Sequence, residues 1–416
     1  MTMSSPNEKT PLPPPLDLSG WRKLPTLLMI IGGILSLIGL LKNPQEFGYS
    51  WLLAFVFFYT IAVGAVFLIL VHHLTDAGWS VGIRRFNEHL ASLLRWPLLV
   101  LFLPIVLLAP KIYSWLKIDP ATDNTVAAKL PVFTYPGFII TSGIFFAIWW
   151  ILTSRLCSLS LQQDKTGAAS LTHKLRFNSG WGIVAFALTL TFSGVLWVKA
   201  LQHEWFSAMY GVYFFASSIW ITLATVYIIA VVLQRQRILT PVLQKNYFYF
   251  IGVLFFAFTV FQAYIEFAQY FVVWNANMPT ETFYYLIREN GNWWWLSLIL
   301  IVGHFLVPFF VLLPVSVKSN CKVIVPVCLW AWVMHAADLG FNMLPALHNN
   351  GYPLKWIWLP VGCLLFMGGF LSRIFVKKFN SHPPYPQRDP RLLEAMGVNA
   401  NVVADLTEAP AAGGQR

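Results

Sequence analysis

Apolar runs of about twenty residues, parted by short polar stretches, recur from one end of the chain to the other. That length matches the ~30 Å hydrocarbon core of a bilayer crossed by a helix. Ten runs are marked by their polar flanks, at about 25–41, 51–74, 93–115, 135–154, 181–199, 206–233, 248–274, 292–316, 323–344 and 354–376. The pattern predicts an all-α polytopic membrane protein. Pro97, Pro104 and Pro110 interrupt the third run, which neighbouring helices tolerate inside a bilayer. The connection KALQHEW separates spans 2–5 from spans 6–9. Each group opens on a Ser among aromatics, YSWLLAFVFFYT and WFSAMYGVYFFASS. This predicts two parallel four-helix bundles flanked by single helices. The transmembrane domain then covers about 25–376, with bundle one at about 51–199 and bundle two at about 206–344. A Pro-rich tail, 1–24, precedes it and a polar, Pro-rich tail, 377–416, follows; both are expected to lie on partners or to be disordered. The first of these has no apolar stretch followed by a small-residue cleavage site.

Composition agrees with the pattern. Hydrophobic residues make up 57% of the 416 and charged residues only 11%, against about 25% charged in a soluble domain. The net charge of +11 is explained by its distribution, without nucleic acid. With the N-terminus inside, 21 of the 28 Lys and Arg fall in inner segments, among them Arg84, Arg85, Arg155, Lys174 and Arg176. That asymmetry predicts cytoplasmic termini. Cys157, Cys321, Cys328 and Cys363 form no CxxC, haem-attachment or iron–sulfur spacing, so no thiolate-bound cluster and no disulfide is expected.

Candidate chemistry lies in the second bundle. On span 7, Gln262, Glu266 and Gln269 share one helical face; on span 9 His335, Asp338 and Asn342 do; on span 6 Tyr210, Tyr213 and Ser217 do; span 8 adds His304 ahead of Pro308. At ~1.5 Å per residue, these groups gather in the outer half of the bilayer, with His304 nearest the middle. A carboxylate inside a span costs at least ~2.5 kcal/mol and marks function by default. A carboxylate–His–Tyr cluster suits proton relay, quinone binding or both. His304 and His335 lack the paired arrangement of a dihaem cytochrome, and no haem is expected here. At the cytoplasmic end of span 2, VHHLTDAGWSVGIRRFNEHL places His72, His73 and Asp76 before Arg84, Arg85, Glu88 and His89. Two readings stay open for it: an anchoring segment held by ion pairs, or a proton entrance.

Five stretches carry a resemblance: LVHHLTDAGWSVGIRR, HEWFSAMYGVYFFASS, the long run from LFFAFTVFQAYIEFAQYFVVWNANMP to NGNW, LIVGHFLVPFFVLL and WVMHAADLGFNMLPALH. In order and over most of residues 45–350, the chain resembles the ActF subunits of bacterial alternative complex III, within the NrfD-like family. The resemblance implies a bacterial inner-membrane subunit of a quinol:cytochrome c or quinol:acceptor oxidoreductase, inactive alone. It implies an ActC-like subunit, a periplasmic multihaem cytochrome, a periplasmic iron–sulfur protein, small membrane anchors and lipids as partners. Menaquinone or ubiquinone is the expected cofactor, with haems and iron–sulfur clusters in the partners and nothing bound covalently here. Glu266, His304, His335 and Asp338 fall in the motifs that match, and with His72, His73 and Asp76 they make the expected proton pathway. Tyr210, Tyr213, Gln262, Gln269 and Asn342 are the expected hydrogen-bonding or quinone-binding support. One departure is plain: where the family has an acid before the fifth-span Trp, this chain has Leu196 before Trp197 and carries Lys199. The rival readings are a proton-coupled secondary transporter and a purely structural scaffold.

Overall fold

The computed structural model describes residues 17–235, 243 and 245–392. Most of the N-terminal tail and the C-terminal tail beyond Leu392 lie outside the described residues. Ten helices are long and apolar enough to cross a bilayer: α1 (Ser19–Lys42), α2 (Pro44–Leu74), α3 (Gly78–Ile112), α4 (Tyr135–Thr166), α5 (Ala169–Gln202), α6 (Tyr210–Gln234), α7 (Asn246–Ala276), α8 (Trp293–Leu312), α9 (Cys321–Ala346) and α10 (Leu354–Phe379). No strand occurs among the described residues. The chain is an all-α polytopic membrane protein, and an even number of crossings puts both ends of the described chain on one side, here called the terminal face.

Helices α2–α5 close one four-membered ring and α6–α9 a second, with α5 returning to α2 and α9 to α6. The rings meet where α2 packs on α6 and α9, and α5 on α6. The flanking helices α1 and α10 pair with each other and lie together against α2. Their contact depends on missing side chains. A Cβ on Gly32 would run into the backbone of Phe366 and Gly362, and one on Gly369 into that of Pro25 and Met29. Close helix approach through small residues is how spans associate where lipid removes the hydrophobic drive. Ser36 on α1 reaches Cys363 on α10, Oγ to Sγ 3.6 Å. A Ser36→Cys variant is therefore expected to cross-link to Cys363 on mild oxidation. Adding Gly32→Val should abolish that cross-link, since overpacking of this kind costs ~1–3 kcal/mol and α1 can escape into lipid. Cross-linking that persists would show that the two helices do not depend on this approach.

Helix α2 starts at Pro44, earlier than its apolar run suggests, because Asn43 caps it: its side chain accepts from Gln45 N and Glu46 N. Its 31 residues reach ~46 Å, so the helix overruns the bilayer at the terminal face with His72 and His73 at its end. The third span also differs from expectation. The polar stretch before it is itself a buried helix, Val81–Ala91, joined through a turn and Arg95 to Trp96–Ile112. Its charges are paired, Arg84 and Arg85 with Glu88, Asp164 and Asp389, which is the ion-paired arrangement that one of the two readings of this stretch expected.

The C-terminal segment from Asn380 to Leu392 is neither splayed out nor left for a partner; it folds back beneath the first bundle. Asp389 is buried and pairs with Arg84, with Arg391 (Nε to Oδ1 3.0 Å) and with His72 Nε2 at 3.6 Å. Gln387 N donates to Asp164 Oδ1 at 3.0 Å. Asp164 also pairs with Arg85, whose second partner is Glu88 at 2.6 Å. Burial by itself would raise the Asp389 pKa, but the His72 hydrogen bond and the Arg84 and Arg391 charges outweigh it and hold the carboxyl well below the ordinary range.

Candidate functional site

The second ring brings its polar faces together. One ring nitrogen of His304 and carboxylate oxygens of Glu266 and Asp338 all lie within 4.8 Å of one another. Counting along the helices, Glu266 stands ~15 Å from the end of α7, Asp338 ~12 Å from the end of α9 and His304 ~16 Å into α8. All three sit at one depth, in the half of the membrane away from the termini. His304 and Asp338 are buried, while Glu266 is half-buried.

Each group is positioned by its helix. Gln262, one turn before Glu266, donates Nε2 to Glu266 Oε1 at 2.7 Å. In α8 the residues Ile301–Leu306 form a π-turn. Pro308 has no N–H to give the His304 carbonyl, and the widened turn accommodates that loss. Trp330 Nε1 holds the turn by donating to the Gly303 carbonyl at 2.7 Å. Such turns often occur at functional sites. This one sets the His304 ring 4.2 Å from the Trp220 ring and leaves Nε2 without a hydrogen-bond partner.

Asp338 is the best connected. Tyr213 donates its hydroxyl to Oδ2 at 2.5 Å, and Asn342 Nδ2 reaches Oδ1 at 3.1 Å and the Tyr213 hydroxyl at 2.8 Å. Tyr284 donates in turn to Asn342 Oδ1 at 2.9 Å. Tyr284 belongs to the short helix Pro279–Arg288 on the face opposite the termini. The polar chain therefore runs from the carboxylates through Tyr213 and Asn342 to Tyr284 near that face.

Arg288 closes the end of this chain of groups near that face, and sequence reasoning passed over it as an ordinary loop cation. It is 1% exposed. It donates to the carbonyls of Phe341 (3.0 Å), Asn342 (2.8 Å) and Tyr284 (2.7 Å) and to Gln202 Oε1 at 3.2 Å, with no carboxylate partner among the described residues. The guanidinium sits at the carbonyl end of α9, where a cation is favoured, and it fixes the backbone that carries Asp338 and Asn342. Trp205 stacks on Tyr284 with centroids 3.7 Å apart. The amphipathic run ETFYYLIREN was the available signal.

Several expected members stand elsewhere. His335 turns toward the first ring: Nε2 meets Thr60 Oγ1 at 2.9 Å and Nδ1 meets Ser217 Oγ at 3.2 Å. Thr60, on α2, was not anticipated. Gln269 lies between Ser207 (3.0 Å) and Tyr285 (3.1 Å). Tyr210 packs against the rings of Tyr213 and Trp205. His72, His73 and Asp76 belong to the terminal-face network: His72 Nδ1 meets Ser80 Oγ at 2.7 Å, Asp76 pairs with Arg391 and Arg176, and the buried His73 ring makes no hydrogen bond. Thr60 and His72 are ~18 Å apart along α2. A separate pair near the opposite face, Glu46 with His348 Nε2 at 2.6 Å, was likewise unforeseen.

The donors around Glu266, His304 and Asp338 are close enough to surround one small cation or to pass a proton. Both Asp338 oxygens are already engaged by Tyr213 and Asn342, which favours the proton. A second group of donors, Asp123, His203 and Glu204, lies in the loops, where Asp123 caps the short helix Asn124–Ala127 and meets His203 Nε2 at 2.9 Å. No protein-family model matches the chain, and no curated protein matches it either.

Proposed function

We propose that this chain is the proton-conducting membrane subunit of a quinol-oxidising respiratory complex of the alternative complex III type, in the bacterial inner membrane with cytoplasmic termini. The observation that carries the proton role is the meeting of Glu266, His304 and Asp338 within 4.8 Å, continued by Tyr213, Asn342 and Tyr284 toward the face opposite the termini. The respiratory setting rests on the sequence resemblance. Electrons would pass through haems and iron–sulfur clusters of partner subunits, the ActC-like subunit and the periplasmic cytochrome among them. A quinone, if held here, would meet Tyr210, Tyr213, Gln262, Gln269 and Asn342, yet four of these five side chains already bond within the protein. That supports relay over quinone chemistry at this cluster.

Within the cluster, Gln262 orients the Glu266 carboxyl and Tyr213 orients that of Asp338. The unpartnered His304 nitrogen offers a station between them. The test is the purified complex in liposomes, measuring protons released per quinol oxidised. Glu266→Gln should lower that yield while quinol oxidation continues. Unchanged yield and rate would favour the scaffold reading, and proton-coupled uptake by the isolated chain would favour a transporter.

A further inference from the structure

Between α4 and α5, at the terminal face, an open groove of about 420 Å³ is lined by Ser154, Arg155, Ser158, Leu159, Lys174 and Asn178. The two helices are joined through Gly167 in the left-handed conformation (φ 66°), and they run back antiparallel. Arg155 lies about as far before that turn as Asn178 lies after it. From Tyr135, at the start of α4, to Arg155 is ~30 Å along the helix, the thickness of the hydrocarbon core. The groove therefore sits at headgroup depth, opposite the end where α4 begins.

Its charge balance differs from that of the buried network beside it. On the inner side of α4, Ser160, Gln163 and Asp164 face Arg84 and Arg85, whose charges are met by Asp389, Glu88 and Asp164. On the outer side, Arg155 and Lys174 form no ion pair among the described residues, and two hydroxyls and an amide stand with them. Below the groove the surface turns apolar: Ile151, Phe177 and Val184 are 48%, 76% and 59% exposed. Beside them Gly180 leaves open space where a side chain would stand. Two cations with hydroxyl donors above an apolar strip match a phosphate diester with acyl chains beneath it.

The geometry points to a binding site for an anionic phospholipid, its phosphate held by Arg155 and Lys174 with Ser154, Ser158 and Asn178, and one chain along Phe177 and Gly180. The site is independent of the proton reading. It is tested on the full chain in detergent by native mass spectrometry, titrating phosphatidylglycerol, phosphatidylcholine and inorganic phosphate. The unmodified protein should prefer phosphatidylglycerol, and that preference should weaken as salt rises. Removing both charges, with Arg155→Gln and Lys174→Gln together, should weaken phosphatidylglycerol binding roughly thirty-fold. Lys111→Gln with Lys117→Gln, on the other face, should leave it unchanged. Equal retention of phosphatidylglycerol by the groove variant would overturn the proposal. So would a salt-insensitive preference in the unmodified protein, which needs no variant to fold. Displacement of the lipid by millimolar inorganic phosphate would overturn the lipid assignment in favour of a free-phosphate site.

Discussion

Replacing Arg84 with methionine is expected to destabilise the protein by ~3–5 kcal/mol and to release the segment Asn380–Leu392 from the terminal face. The guanidinium is 1% exposed and serves five groups: Asp389, Glu88 at 3.3 Å, Ser160 at 3.2 Å, Gln163 at 3.3 Å and His72 Nε2 at 3.4 Å. Methionine fills much of the volume but leaves buried carboxylates short of a cation, which is the costly case. Asp389→Asn should cost less, because it removes the charge that most needs Arg84. The double variant should then lie closer to the worse single variant than to the sum, the sign of a shared interaction. Thermal unfolding in detergent and protease sensitivity of the C-terminal segment report the two effects. A parent-like melting temperature with a protected segment in Arg84→Met would show that the network does not hold the fold.

Acid should reproduce the release without mutation. The folded Asp389 carboxyl lies below the ordinary range, so its contribution is fully present above the unfolded value of about 3.9. It is lost as pH falls from there through the folded value. Protection of the C-terminal segment should therefore hold at neutral pH and fade only in strongly acid medium. Loss of protection already near neutral pH would show that the Asp389 carboxylate is not what holds the segment.

The ten spans were legible because lipid-facing and ring-facing residues alike must be apolar, so hydropathy reports the whole span. The shared faces of Gln262 with Glu266 and of Asp338 with Asn342 were legible from helical periodicity, which needs no partner helix. What periodicity cannot supply is rotation. His335 and Asp338 stand one turn apart on α9, yet His335 meets Thr60 of the other ring, because the contact of α9 with α2 turns that position away from α7. The π-turn at His304 was half visible: Pro308 announced a disturbed helix, but not how the disturbance resolves. Arg288 and Asp389 were missed for one reason. Both are charged residues in loop or tail sequence, where exposure is the ordinary expectation, and each is buried by contacts distant in the chain.

Asp338→Asn should slow proton transfer by roughly a hundred-fold or more, the range lost when a positioned acid–base group is removed, while leaving the fold near its native stability. The amide is almost isosteric, and one face of it can still accept from Tyr213, so the bundle has little reason to repack. What it cannot do is take up and release a proton beside Glu266 and His304, with Tyr213 and Asn342 orienting the group. Tyr213→Phe keeps the carboxylate but removes its 2.5 Å donor and should give a smaller loss. Arg288→Gln would act through position, by loosening the end of α9, and should lower stability together with transfer. Proton release and quinol oxidation in the reconstituted complex, beside thermal unfolding of each variant, separate these effects. A relay requires Asp338→Asn to lose transfer with stability kept. Normal transfer in that variant would reduce the buried carboxylates to helix–helix contacts, and the cluster would then be an architectural one.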